Sequence, residues 1–306
     1  MKKPDVFIVG APRCATTSLY RYLKQHPEVY MADCKEPEFF ATDLPFRHAI
    51  TDEDEYLSLF SEAKDGQRLG EASTFYLFSK VAADNIKRFS PQAKIIIMLR
   101  HPVDQMLSYH NMMLSLYWEH SEDITNFAEA LATEVLRKQG LRFPRNNTMP
   151  KECYFYREIV KYTEQVKRYL KVFGHENVHI IIYDDLKRNV VEIYKNVCDF
   201  LGVNREIKVD LTRHNTIGHL RNQSVFKLLR HPPNGFNWVK HTRWNQIFAF
   251  LWRLNTSDDR DYRIDSSVKM QLEKELTSDL ADLSSLIGRN LIKEWLSNDK
   301  KGGNSA

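Results

Sequence analysis

The chain has 306 residues, 42% of them apolar, which suffices for the core of one large α/β domain. Its 44 basic and 40 acidic residues leave a formal charge of +4, too mild a surplus to mark a nucleic-acid binder, and none is expected. The four cysteines, Cys14, Cys34, Cys153 and Cys198, show no CxxC or metal-ligand spacing and are expected as reduced thiols in a cytoplasmic protein.

The opening MKKPDVFIVGAPR offers only a short apolar run, broken at Asp5 and ended at Gly10, so a signal peptide is not expected. VFIVG (6–10) instead reads as a first strand. GAPRCATTSL follows it and leads into the amphipathic pattern TSLYRYLKQH. A turn between strand and helix presents unpaired backbone N–H groups and the positive end of the helix dipole, which together attract an anion. A nucleotide P-loop would read GxxxxGK[ST] there. Here Gly10 is followed by four residues and then Ala15, Thr16 and Thr17, and the basic group has moved forward to Arg13.

Lys35 lies in KEPEFF (35–40), where Pro37 biases the preceding residue toward extended backbone. EYLSLFSEA reads as a helix and RLGEA (68–72) as the next strand, with Glu71 near its end. KVAADNIKRF and the strand KIIIML (94–99) follow. That strand runs into Arg100 rather than a metal-holding aspartate, and no metal is expected to be required. His101-Pro102 then starts a helix whose second turn carries Ser108. YFYREIVKYTEQVKRYLKVF reads as one long helix, and VHIIIY (178–183) as the last strand. Short, uniformly apolar strands alternating with amphipathic helices predict an α/β fold with a central parallel sheet flanked by helices.

One stretch differs in composition. Thr212 to Ser257 contains no Asp or Glu but carries seven Lys or Arg and three Trp. It is either a solvated basic face or a surface for an anion, and peripheral membrane contact over 213–253 is one reading. No run approaches ~20 consecutive apolar residues, so no membrane span is expected. Residues 1–298 are expected as a single domain and 299–306 as a disordered tail.

Taken in order, FIVGAPRCATTSLYRYLKQHPEV, KEPEFF, GEASTFY, LRHPVDQMLSYH, IIIYDDLKRNVVEIYKNVCDFLGV and LADLSSLIGRNLIKEW resemble the sulfotransferases that use 3′-phosphoadenosine 5′-phosphosulfate (PAPS). The likeness is to the carbohydrate branch, with its heparan sulfate enzymes and bacterial relatives. It implies a three-layer fold like that of P-loop nucleotide kinases. It also implies transfer of a sulfuryl group from PAPS to a hydroxyl, or an amine, of a carbohydrate, glycolipid-like or small-molecule acceptor, leaving adenosine 3′,5′-bisphosphate (PAP). By the same resemblance Arg13 and the loop residues Cys14, Ala15, Thr16, Thr17 and Ser18 hold the 5′-phosphosulfate. Lys35 faces the sulfuryl group, Glu71 is the general base, and Arg100 with Ser108 holds the 3′-phosphate. Arg213 and Arg221 are candidate lid contacts. His48, His101 and His110 are rival bases.

The chain departs from the family at Arg13, usually lysine, at Ala15, usually glycine, and at Gln105, often arginine. If position 15 needs a positive φ, its methyl group costs energy. Two other functions fit parts of the pattern: a magnesium-dependent P-loop kinase with a degenerate loop, and a non-catalytic protein that binds PAP or an acidic glycan.

Overall fold

In the computed structural model the described residues are 2–114, 122–144, 149–212 and 264–296, together with two short strands at 219–220 and 256–257. The centre is a five-stranded parallel sheet of β1 (Val6–Gly10), β2 (Val29–Met31), β3 (Arg68–Ala72), β4 (Lys94–Leu99) and β5 (Val178–Ile182), in the spatial order β2-β3-β1-β4-β5. The inner strands are buried on both faces: Val6 to Val9 and Ile95 to Leu99 are each 0% exposed. That explains their unbroken apolar runs, since each such side chain contributes about 1.5–3 kcal/mol on burial.

Helices fill the connections: α1 (Thr16–Lys24), α2 (Glu53–Ser58), α3 (Ala82–Phe89), α4 (Pro102–Met113), α5 (Phe127–Lys138), α6 (Tyr156–Ile159), α7 (Tyr162–Phe173), α8 (Tyr183–Arg188), α9 (Val190–Leu201), α10 (Ser266–Ile287) and α11 (Leu291–Trp295). α1 turns Leu19, Tyr20, Tyr22 and Leu23 inward, and α4 opens with Pro102, whose missing N–H has no partner to lose at that position. The long helix expected over 154–173 is broken into a 3₁₀ turn, α6 and α7. The break is held from the side: Gln165 Nε2 donates to the carbonyls of Glu158 (3.2 Å) and Ile159 (3.1 Å), which would otherwise need helical partners.

α10 packs against α7 and α4. Asp279 accepts the Tyr162 N–H at 3.1 Å, and its carbonyl accepts the Thr163 hydroxyl at 2.7 Å, fixing the start of α7. No helix among the described residues is long and apolar enough to cross a membrane.

The strand order locates the ligand crevice. The connection leaving β1 runs toward β2, while the one leaving β4 runs toward β5, so the two diverge above the carboxyl ends of β1 and β4. In open α/β sheets that divergence is where ligands sit.

Candidate active site

β1 can end where it does only because residue 10 lacks a side chain. A Cβ on Gly10 would come within 2.6 Å of the Thr74 carbonyl oxygen and 2.8 Å of Leu77 Cβ. The turn beyond it alternates handedness, with Arg13 at φ 66° and Ala15 at φ 68°. Ala15 caps α1 without a side-chain hydrogen bond, and among the described residues the amides of Ala15, Thr16 and Thr17 find no acceptor in the chain. The turn therefore presents a row of open amides at the start of α1. Thr16 and Ser18 are each 4% exposed, Thr17 is half-buried, and Cys14 lies wholly inside, where burial pushes its thiol up to about 12.

The carbonyl side of this turn is tied to β4 and α4. Gln105, fully buried, donates from Nε2 to the Pro12 carbonyl at 2.9 Å. Arg100 Nη1 approaches the Arg13 carbonyl at 3.5 Å, and Ala11 N–H donates to Met98 at 2.7 Å. Arg13 Nε donates to Ser108 Oγ at 3.1 Å. The structure thus brings Arg13, Arg100 and Ser108 together, with Ser108 against Arg13 rather than against Arg100. Arg100 lies 4.8 Å from the Tyr183 ring centroid, its carbonyl accepts the Tyr162 hydroxyl at 3.1 Å, and its Nε is buried without a partner. An unpaired guanidinium N–H beside three open amides fits a phosphorylated ligand.

Ala15 answers the question raised by its missing glycine. A methyl at φ 68° costs about 1–2 kcal/mol, part of which glycine would lose again through its freer unfolded chain. Ala15→Gly is expected to raise the melting temperature by about 2 °C in scanning calorimetry.

Glu71 does not stand where the strand-end argument puts it. Its carboxylate is 0% exposed and turned inside, accepting Tyr56 OH at 2.9 Å and Tyr76 OH at 2.9 Å on Oε1 and Ser73 Oγ–H at 2.8 Å on Oε2. A base must reach the proton that it removes, and here the carboxylate assigned as the base faces three hydroxyls of the protein rather than solvent. Burial raises its carboxyl to about 7, against the opposing pull of the three hydroxyls and Lys35. An acid raised in the folded state holds its proton more tightly there than in the unfolded chain. Its ionisation therefore opposes folding, with no penalty well below its ordinary 4.5 and the full penalty above about 7. Relative to Glu71→Gln, wild-type stability is expected to fall by up to about 3 kcal/mol between pH 4 and pH 8, read as urea midpoints.

A more accessible carboxylate nearby is Glu36. It is half-buried, pairs with Lys35 Nζ, and accepts Thr74 Oγ1–H at 3.4 Å. Thr74 is the residue whose carbonyl packs against Gly10, so the Lys35–Glu36 pair is joined to the start of the anion turn. Glu36 precedes Pro37 yet is left-handed (φ 64°) rather than extended, and Glu38 is left-handed too (φ 53°). KEPEFF contains Glu36 in plain view. Nothing local marks its backbone, because the conformation is set by contacts with β3.

The rival bases fall away from the cleft. His110 is buried with Nε2 donating to the Ile124 carbonyl at 2.8 Å, His101 has its Nε2 3.6 Å from Glu273, and His48 is exposed beside Phe46. Arg213 and Arg221, with most of the basic stretch 212–257 and the tail, lie outside the described residues.

The family model described as the sulfotransferase domain matches residues 3–247 of this chain. Carbohydrate sulfotransferase 15 of Mus musculus is 26% identical over 249 residues, covering 65% of this chain and 44% of that protein. Heparan sulfate glucosamine 3-O-sulfotransferase 6 of Homo sapiens is 32% identical over 112 residues, 37% of this chain and 31% of that protein. The chain therefore spans less than half the length of these curated relatives. A sulfotransferase crystal structure from Alicyclobacillus acidocaldarius superposes with a TM-score of 0.73 at 30% identity, covering 97% of this chain and all of that one.

Proposed function

Because this chain belongs to the sulfotransferase family, we propose that it moves a sulfuryl group from PAPS to a hydroxyl, or an amine, of a carbohydrate or glycolipid-like acceptor. The observation that carries the choice of donor is the turn at 13–17, whose three open amides lie with the Arg13 and Arg100 side chains at the carboxyl ends of β1 and β4, where the outgoing connections part. PAPS supplies an activated sulfur whose bond to the 5′-phosphate breaks as the acceptor oxygen bonds to it.

The chain's residues then have separable tasks. Arg13 and the amides of Ala15, Thr16 and Thr17 take up the charge that collects on the departing phosphate, a preorganised electrostatic role. Arg100, steadied by Tyr183 and Tyr162, holds the 3′-phosphate. Glu36 accepts the acceptor's proton, and Lys35 fixes that carboxylate and faces the sulfuryl oxygens. Positioning in line supplies the remainder. No divalent ion enters these steps in this reading, which takes the cytoplasm as their compartment.

The test is label transfer from ³⁵S-PAPS to a panel of heparan- and chondroitin-type oligosaccharides, glycolipids and small alcohols, with and without chelator. PAP binding is followed in parallel by calorimetry. Transfer that survives chelation, with PAP bound, supports the proposal. Stabilisation by ATP–magnesium but not by PAP would replace it with the kinase alternative.

A further inference from the structure

Glu71 is too deeply enclosed to touch an acceptor, yet it lies at the centre of the contacts that shape the Lys35–Glu36 turn. Two of the hydroxyls that donate to it also receive main-chain N–H groups from that turn. Ser73 Oγ accepts the Glu38 amide at 3.2 Å while donating to Glu71 Oε2, and Tyr76 OH accepts the Phe40 amide at 3.3 Å while donating to Oε1. A hydroxyl can accept from an amide in this way only if its own hydrogen points elsewhere. The carboxylate fixes that direction for both.

The turn needs such restraint. Glu36 and Glu38 both have left-handed backbone, on either side of Pro37, and non-glycine residues persist there only when the surroundings over-determine them. A third tie, the Glu36 N–H to the Ala72 carbonyl at 3.0 Å, comes from the residue next to Glu71.

We propose that Glu71 is a positioning residue: its carboxylate orients the Ser73 and Tyr76 hydroxyls, which hold the Glu38 and Phe40 amides and so aim the Lys35–Glu36 pair. The role assigned to that pair rests on the sulfotransferase reading above; the hydrogen-bond relay does not. Glutamine at position 71 would keep one acceptor oxygen for the two tyrosines but present an NH₂ to Ser73, turning that bond around.

Amide exchange resolved by NMR at pH 8 in the full chain tests the relay. Ser73→Ala is expected to speed exchange at Glu38 alone and Tyr76→Phe at Phe40 alone, each by about tenfold, with Glu71→Gln speeding Glu38, whose Ser73 partner it reverses, and sparing Phe40. Release of labelled sulfate from PAPS to water is expected to fall by about 10- to 100-fold in Glu71→Gln, while the Kd for PAP changes less than about threefold. A merely structural role would weaken PAP binding in step with turnover. Unchanged exchange at Glu38 in Glu71→Gln, or equal losses of turnover and PAP affinity, would overturn the proposal. Failure of the wild-type chain to bind PAP would instead defeat the sulfotransferase reading, with the exchange pattern still deciding the relay.

Discussion

Glutamine in place of Glu36 lowers sulfuryl transfer by about 10²- to 10⁴-fold, the loss typical of removing a placed base. PAP affinity is expected to stay within about threefold, because the Lys35–Glu36 pair is half-exposed and does not touch the anion turn directly. The loss should fall on kcat and kcat/KM alike, as for a group that acts in the transition state. The comparison that decides the matter is with Glu71→Gln, measured side by side over pH 6 to 9. If Glu36→Gln kept the wild-type rate while Glu71→Gln lost it, the base would be Glu71 and the cleft geometry argued above would be wrong.

Alanine in place of Arg13 is expected to lower transfer by about 10²- to 10³-fold, the scale for deleting one oriented donor at a site of developing charge. This change also removes the Nε bond to Ser108, so PAP binding weakens as well, which separates it from the Glu36 variant. Arg13→Lys restores the cation as a point charge but not the planar fork, and is expected to recover only part of the rate. Label transfer and PAP calorimetry on the three proteins give the ordering. Equal rates in the alanine variant and wild type would assign the leaving phosphate to the backbone amides alone.

The parts of the fold that were legible in the sequence are those whose burial is uniform. VFIVG and KIIIML announce themselves because both faces of β1 and β4 are covered. β2 was missed because it is three residues, Val29–Met31, at the sheet edge, too short for any periodicity to register. The break before α7 was missed because Gln165, six and seven residues away, supplies the restraint rather than a proline or glycine.

The site divides in the same way. The anion turn is a local object, and its strand-to-helix context, open amides and Arg13 could all be read from ten consecutive residues. The enclosure of Glu71 is not legible locally, because its surroundings come from Tyr56 on α2 and from Ser73 and Tyr76 beyond β3. A strand-end position says which layer a side chain occupies, not what folds over it. Glu36 was passed over for the reverse reason: its left-handed backbone is imposed by β3, and proline at the next position argues for a different shape.

The ties on the Pro12 and Arg13 carbonyls bear on how a nucleotide would be met. With the Pro12 oxygen held by Gln105 on α4 and the Arg13 oxygen approached by Arg100 just past β4, the amides opposite them are already aligned before any partner arrives. Little chain entropy remains to be lost at that end on association. Under the proposed reading, discrimination between acceptors would rest instead on the turn at 35–40, where Glu36 and Glu38 have left-handed backbone.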